Sequence, residues 1–476
     1  MTGRRSARAA FCVLAMIEFV SVMDASIVNI ALPSIGQSLG FSPTMLAWVV
    51  DGYLIGLAGF MLVAGRATDL IGRRRLFLTG VAVFTMLSGV CSFATDPWQL
   101  IVSRVGQGVG AALAMPSAIA LITDLFPEGA SRNRALGMFN GMAGVASPVG
   151  LVLGGVLASV SWRWIFLINI PLGVVAFIAG IRTLPAPRRR SSTPMDLLGG
   201  LALTSGLIFL TLAVLRGGVE DGGTTTLAVL ASAVILLVLF GIRQATARDP
   251  LIPRELLRSR TIVAGNLTFI LVGTILLGTF FITTLFLQQV RGLAPLEAAV
   301  LYLPIPAAMF VGTQVAPRLT RFSPSNTLLG AMVIQAASLG AWALLMRSDS
   351  SLLLGFMVPA APWAFGLGAA IVLSFMVCTS GVAPQIAGAA SGLATTAYQG
   401  GGAIGLATIA FVADTCTAAV GTGPAALIPG FKAALWVSAG LALVGALEAG
   451  VATFTSRHAR VRRRSRNDGL KADHLD

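Results

Sequence analysis

Fourteen apolar runs, each long enough to cross a lipid bilayer, follow one another along this chain, and that succession leaves few folds open. They fall near 11–31, 44–64, 76–94, 98–122, 135–158, 163–184, 196–215, 224–242, 261–287, 296–317, 325–346, 352–377, 392–414 and 431–453. Inside hydrocarbon the backbone N–H and C=O groups must find partners within the segment itself, so each run is expected to be a helix. Composition agrees: 56% of the 476 residues are hydrophobic and 11% are charged, against roughly 25% charged in a soluble domain. Lipid must be the solvent for most of this surface. The first run is too long for a cleaved leader and is interrupted by Glu18 and Asp24. The expected class is an all-α integral membrane protein of 14 transmembrane helices.

Lysine and arginine positions give the orientation. With both termini in the cytoplasm, the inner segments hold 27 of the 33 basic residues and the outer segments hold five. Arg104 alone lies within a span. An odd number of spans would break this alternation. The net charge of +14 is therefore a topology signal, with some attraction to anionic headgroups, and no nucleic-acid partner is implied. The expected organisation is a cytoplasmic N-terminus over 1–10, a six-helix bundle over 11–184, a cytoplasmic linker over 185–195, an inserted helix pair over 196–242, a second linker over 243–260, a second six-helix bundle over 261–453, and a basic cytoplasmic tail over 454–476. Two halves are also suggested by a faint internal echo. Gly65 to Arg75 follows the second span, and Gly312 to Arg321 follows the tenth.

Several function classes are disfavoured. Cys12, Cys91, Cys378 and Cys416 have no metal or redox spacing. The histidines, His458 and His474, lie in the polar tail. No Gly-x-Ser-x-Gly elbow, nucleotide loop or metal cluster is present, so neither an enzyme, a cofactor nor a metal is expected. A sizeable soluble domain that could relay a receptor signal is also lacking.

Charge inside the spans is where chemistry is expected. A charged side chain at a helix centre costs about 2.5–3.5 kcal/mol on insertion scales, so one that persists is read as functional, or else as a polar residue satisfied by a neighbouring helix. At 1.5 Å per residue, Asp24 lies about 10 Å below the outer edge of a ~30 Å core, with Asp51 about 10 Å and Arg104 about 9 Å down. All three share one layer, and they are expected to face one another around a water-filled cavity. One of the two carboxylates would then carry the proton; which one stays open. Gln107 sits beside the face formed by Arg104, Gly108 and Ala111. Glu18, nearer the inner edge, could equally reach the interface or bond a helix backbone. In the loop after the second span, Gly65, Asp69, Gly72 and Arg73 have a spacing that an ordinary basic loop does not explain, and Gly72 permits a tight turn. In span five, Gly141, Gly144, Pro148, Gly150, Gly154 and Gly155 suit a helix that rocks against a partner, or one that packs closely without moving. Pro148 is expected to kink it. Trp98, Trp162 and Trp164 are expected to be belt residues at the outer interface.

Together these segments resemble the major facilitator superfamily, in particular its fourteen-span drug:proton antiporter branch. Met23-Asp24-Ala-Ser26-Ile-Val-Asn29-Ile-Ala-Leu-Pro33 resembles the first-span signature of that branch. The Gly65–Arg75 loop and the Arg104 segment resemble superfamily motifs, and Trp162 to Pro171 resembles the start of span six. Span five departs from the antiporter pattern Gly-Pro-x-x-Gly-Gly: it reads Gly150-Leu151-Val-Leu-Gly154-Gly155, with the proline at Pro148. The resemblance implies proton-coupled efflux of small amphipathic or cationic drugs by alternating access, from a bacterial plasma membrane. The alternative on the same fold is an importer, or an exchanger of monovalent cations or metal complexes. It further implies that Asp24 and Arg104, with Asp51, serve proton coupling, and that the Asp69 loop gates the inner face. Glu18, Asn29, Tyr53 and Gln107 are the substrate-cavity candidates, and the inserted pair stands outside the transport core. The expected partners are a small-molecule substrate, protons and the lipid bilayer; the oligomeric state is not implied.

Overall fold

A computed structural model of the chain describes residues 2–127, 130–185, 196–216, 223–247, 250–320, 324–382, 386–420 and 423–472. Among these the protein is all helical, with no strand. The first half contains α1 (Thr2–Leu39), α2 (Pro43–Ile71), α3 (Arg73–Ser92), α4 (Pro97–Leu125), α5 (Ala130–Val160), α6 (Trp164–Leu167) and α7 (Asn169–Thr183). Then come α8 (Leu197–Arg216), α9 (Gly223–Thr246) and the short α10 (Arg254–Arg258). The second half contains α11 (Arg260–Leu285), α12 (Pro295–Tyr302), α13 (Pro304–Leu319), α14 (Pro324–Leu345), α15 (Val358–Cys378), α16 (Ala387–Ala418) and α17 (Pro424–Ala472). Eleven helical stretches among the described residues are long and apolar enough to cross a membrane. Three shorter apolar stretches, Met45–Met61, Val145–Val160 and Leu198–Val214, fall where the sequence places three further spans.

Local chemistry sets the helix ends. Ser42 accepts from the Met45 N–H at 3.2 Å, and Asp96 accepts from the Gln99 N–H at 2.9 Å. Each is followed by a proline, whose missing N–H costs nothing in a first turn. Gly72 has φ of 103° and is the whole break between α2 and α3. The loop expected over 65–75 is thus corrected: Gly65 lies inside α2, which runs on to Ile71. Near Asn169 the α6–α7 break follows from Pro171, which cannot donate to the Leu167 carbonyl one turn back. α5 is continuous through Pro148. Residues 186–195 of the first expected linker lie outside the described residues.

Each half is sewn together by glycine seams. A Cβ on Gly56 would collide with the Val105 carbonyl, and one on Gly108 with the Tyr53 carbonyl, so α2 and α4 touch backbone to backbone. The second half repeats this at the same three-residue spacing: Gly312 meets the Phe365 carbonyl, and Gly368 meets that of Met309. Likewise Gly150 meets Met23 and Gly154 meets Ile27 between α5 and α1, while Gly401 meets Ile270 and Gly405 meets Thr274 between α16 and α11. The structural repeat therefore pairs Gly312 with Gly56, inside the helices, rather than with Gly65 as the sequence echo suggests. Across the halves, α2 runs along α16, and Gly155 of α5 receives Leu296 and Ala299 of α12. Gln288 donates to the Ile30 carbonyl at 2.9 Å.

α8 and α9 pack on each other, and α8 also leans on both halves. Thr204 fills the space above Gly59 of α2, and Leu207 lies 3.9 Å from where a Cβ on Gly400 of α16 would stand. α9 carries the exposed face, with Leu227 at 66% and Ile235 at 65% exposure. Apolar exposure on this scale marks a face that meets lipid or another protein rather than water.

Candidate functional site

The most polar buried cluster among the described residues lies where α1, α2, α3, α4 and α7 meet. Asp24 and Arg104 are both 0% exposed. Arg104 Nη1 donates to Asp24 Oδ2 at 2.6 Å and to Gln107 Oε1 at 2.7 Å. Its Nε donates to the Val49 carbonyl at 2.8 Å. The guanidinium carbon lies 4.6 Å from the Tyr53 ring centroid and 5.8 Å from that of Phe166. The other oxygen of Asp24 accepts from Asn169 Nδ2 at 2.7 Å and from Gln107 Nε2 at 3.3 Å. Gln107 in turn donates to Ser88 Oγ at 2.7 Å.

Why this arrangement holds is a matter of desolvation. A carboxylate and a guanidinium taken out of water cost several kcal/mol each, and attraction repays that only with close geometry and satisfied lone pairs. Here the carboxylate has three donors, and the cation has a carboxylate, an amide oxygen, a backbone carbonyl and an aromatic face. The pair is therefore weak evidence of stability and strong evidence of a site.

The remaining expected residues fall into distinct places. Asp51 is 0% exposed, and neither of its oxygens has a hydrogen-bond partner. It lies seven residues from Ala58, so both occupy one stripe of α2, and Ala58 faces Gly400 of α16. Gly52 and Gly56 face α4 instead. The expected convergence of three charged residues is thus corrected to an ion pair and a separate carboxylate turned toward the other half. Gln107, at 0% exposure, and Tyr53, at 2%, are sealed around Arg104 rather than set on a cavity wall. Asn29 bonds the Ala25 carbonyl of its own helix at 2.8 Å. Glu18 is 8% exposed, and its Oε2 has no partner.

At the end of the bundle marked by the α2–α3 break, Arg73 pairs with Asp124 at 2.7 Å and donates to the Ala120 carbonyl at 3.1 Å. Arg74 donates to the Ile181 carbonyl at 2.5 Å, and Arg132 to the Thr123 carbonyl at 3.0 Å. Arg74 and Arg132 meet carbonyls in the last turns of α7 and α4, where those groups lack an intrahelical partner and the helix dipole is negative, and Arg73 reaches a carbonyl about one turn further into α4. The side chain of Asp69 lies outside the described residues. Gly150 and Gly154 seat α5 on α1, and Gly155 seats it on α12. Trp162 is corrected from belt to core: it is 4% exposed, with the Arg163 guanidinium 4.5 Å from its ring, while Trp98 and Trp164 are 56% and 50% exposed. Ser88 is a member of the cluster to which the sequence does not point, and Asn169 enters from sequence only as part of the Trp162–Pro171 segment, with no site role. The available signal was an amide inside the apolar run Ile168-Asn169-Ile170.

Comparison with known proteins places the chain. The family model of the Major Facilitator Superfamily matches residues 14–406. The cephamycin export protein CmcT of Amycolatopsis lactamdurans is 38% identical over 87% of this chain and 88% of its own length. The puromycin resistance protein pur8 of Streptomyces alboniger is 34% identical over 87% of this chain and 84% of its own. Among solved structures, an auto-inhibited POT family peptide transporter superposes with a TM-score of 0.68 at 15% identity, covering 94% of this chain and 96% of that one. A D-xylose-proton symporter gives 0.66 at 13%, covering 93% and 96%. These two likenesses concern the fold. A matched family over most of the length, relatives named for export and resistance, and a helical bundle that presents apolar side chains to lipid lead to one conclusion: the chain is a multi-pass membrane transporter of the Major Facilitator Superfamily.

Proposed function

We propose that the protein exports small amphipathic or cationic antibiotics in exchange for protons, by alternating access between two six-helix halves. The observation that carries this reading is the sealed Asp24–Arg104 pair, braced by Gln107 and Asn169. In the proton-free state Asp24 ties α1 to α4 and α7. A proton on Asp24 removes the charge that holds Arg104, which keeps its bonds to Val49 and Gln107 and its place over the Tyr53 ring. α1 is then freer to move relative to α4, and glycine contacts at α5 and α12 offer surfaces along which the halves can shift. One proton falling through 100 mV releases about 2.3 kcal/mol, enough to drive a modest gradient. Asp51, buried and unpartnered on the stripe facing α16, suits recognition of a positive charge between the halves or a second proton.

The basic-residue asymmetry supports a topology of fourteen spans, with both termini and the α2–α3 break in the cytoplasm of a bacterial cell. The relatives named for cephamycin export and puromycin resistance support antibiotics as the substrate class. The test is reconstitution in liposomes under an imposed pH gradient, with puromycin, a cephamycin and a lipophilic cation as probes. Accumulation against its own gradient, collapsed by a protonophore, is the expected result. Flux of every probe indifferent to the pH gradient would refute proton coupling, and accumulation in the direction of proton flow would make the protein an importer.

A further inference from the structure

At the end of the bundle opposite the α2–α3 break, α11, α16 and α17 enclose a shallow, open-mouthed pocket. Glycine contacts hold its walls. A Cβ on Gly278 of α11 would collide with Ile409 of α16, and one on Gly430 of α17 with the Ala413 carbonyl and the Thr417 hydroxyl of α16. Phe281, Leu427 and Phe431 give the pocket an apolar lining, and Asp414, Gln289 and Thr417 bring polar side chains to it. Asp414 is half-buried, one turn from the end of α16. It has no hydrogen-bond or ion-pair partner among the described residues, and neither has the Gln289 amide. Arg291, two residues beyond Gln289, donates instead to the Ser350 carbonyl at 2.5 Å. Gln289 belongs to a π-helical turn over Phe286–Val290, closed by the Arg291 N–H on the Phe286 carbonyl at 3.0 Å. Such turns are rare and recur at functional sites. Gln288 of the same turn is the residue that reaches the Ile30 carbonyl of the first half.

A carboxylate set in an apolar pocket of a membrane helix is costly without a counter-charge, and this chain supplies none. The hydroxyl proton of Thr417 is committed to the Ala413 carbonyl at 2.7 Å, which leaves its oxygen as an acceptor. Asp414, the amide oxygen of Gln289 and Thr417 therefore all offer acceptors to one pocket. An ammonium group has three N–H donors and no acceptor. We infer that this pocket binds the ammonium end of an amphipathic amine. Asp414 is its counter-ion, Gln289 and Thr417 are further acceptors, and Phe281, Leu427 and Phe431 meet its apolar stem. An uncharged head group would leave the carboxylate unpaired, and an anionic one would be repelled. The pocket admits one end of a molecule, and the remainder extends through the mouth. The amine is either a free molecule or the amino head group of a phospholipid. All the walls belong to the second half, so the site is distinct from the Asp24–Arg104 pair, and binding there needs no proton coupling. Since Gln288 and Gln289 share one turn, the occupant sits beside a contact between the halves.

The test follows maleimide modification of Leu427→Cys in the full-length protein, held in phosphatidylglycerol nanodiscs. Peptide mass reads the introduced thiol separately from Cys416 and the other native thiols. Octylammonium should protect the introduced thiol, and octanol, with the same stem and no ammonium, should not. Adding Asp414→Asn should raise the octylammonium concentration for half protection about tenfold, the scale of a hydrogen bond to a charge. Adding Gln289→Ala should raise it by a smaller factor. Asp24→Asn should leave protection in place, so the site stands or falls apart from the coupling carboxylate. Protection by puromycin assigns a free amine, and protection by phosphatidylethanolamine mixed into the discs assigns a lipid head group; either supports the site. Equal protection by octanol and octylammonium would overturn the inference. So would half protection unchanged by Asp414→Asn, or no protection by octylammonium, puromycin and phosphatidylethanolamine alike.

Discussion

The helices before α8 and those after α10 share a skeleton and differ in what they enclose. Both use the same seams, with Gly56 and Gly108 answered by Gly312 and Gly368, and Gly150 and Gly154 answered by Gly401 and Gly405. In that register Asp24 corresponds to Leu271, Tyr53 to Met309, Arg104 to Ala364 and Gln107 to Leu367. The second half instead closes a ring of aromatics, in which Phe280, Tyr302, Phe356, Trp342 and Trp363 touch in turn at centroid distances of 5.2 to 5.8 Å. Close backbone approach at the seams is therefore enough to build a half, and the second half does so with no ion pair at those positions. The polar cluster of the first half is thus an addition to a skeleton that the second half builds without one.

The largest asymmetry is expected at the ion pair. Arg104→Ala strands a buried carboxylate and should cost about 3–5 kcal/mol of stability, along with gradient-driven transport. Its converse across the seam, Leu271→Met at the position matching Asp24, should cost less than about 1.5 kcal/mol and keep transport. Thermal unfolding in detergent, run beside liposome flux, checks both. Next in size is Asn169→Ala, which removes one donor from Asp24 at about 1.5–3 kcal/mol for a hydrogen bond to a charge. Flux in this variant should fall further than in any single substitution within the aromatic ring. The seams should then respond alike. Gly108→Ala and Gly368→Ala each force a methyl group onto a backbone carbonyl and should destabilise by about 1–3 kcal/mol or more. A large effect in only one half would break the claim of a shared skeleton. Smallest is Asp196→Asn, which loosens the 3.1 Å bridge from the residue just before α8 to Arg243 of α9. With Arg243 41% exposed on its side chain, solvent screening holds the loss under about 1 kcal/mol, and transport should persist.

The sequence already contains much of this. Apolar run length finds the helices but not their ends: α1 runs Thr2–Leu39 against an expected 11–31, and α17 runs Pro424–Ala472 against 431–453, because polar residues continue a helix beyond its apolar stretch. Ser42-Pro43 and Asp96-Pro97 mark two of the starts. Depth counted along each helix puts Asp24, Asp51 and Arg104 in one layer, but depth carries no direction around the helix axis. The structure supplies that direction: Gly52 and Gly56 turn to α4, and the Ala58 stripe that holds Asp51 turns to α16. Asn169 was hidden for the same reason, since its bond to Asp24 spans 145 residues and depends on how α7 sits against α1. Trp162 misleads because it falls at the expected outer end of a span, whereas its ring is buried with the Arg163 cation over it. The Gly65–Arg75 segment reads as a loop because glycine and charge are loop residues, yet only Gly72 leaves the helix.

The most direct test of the central claim, that coupling resides in the Asp24–Arg104 pair of the first half, is proton movement evoked by antibiotic. Liposomes holding the purified protein and a trapped pH dye receive puromycin with no gradient imposed. Wild type should move protons opposite to the drug, and Asp24→Asn should move none while still exchanging puromycin for puromycin. An undiminished proton signal from Asp24→Asn would contradict the account.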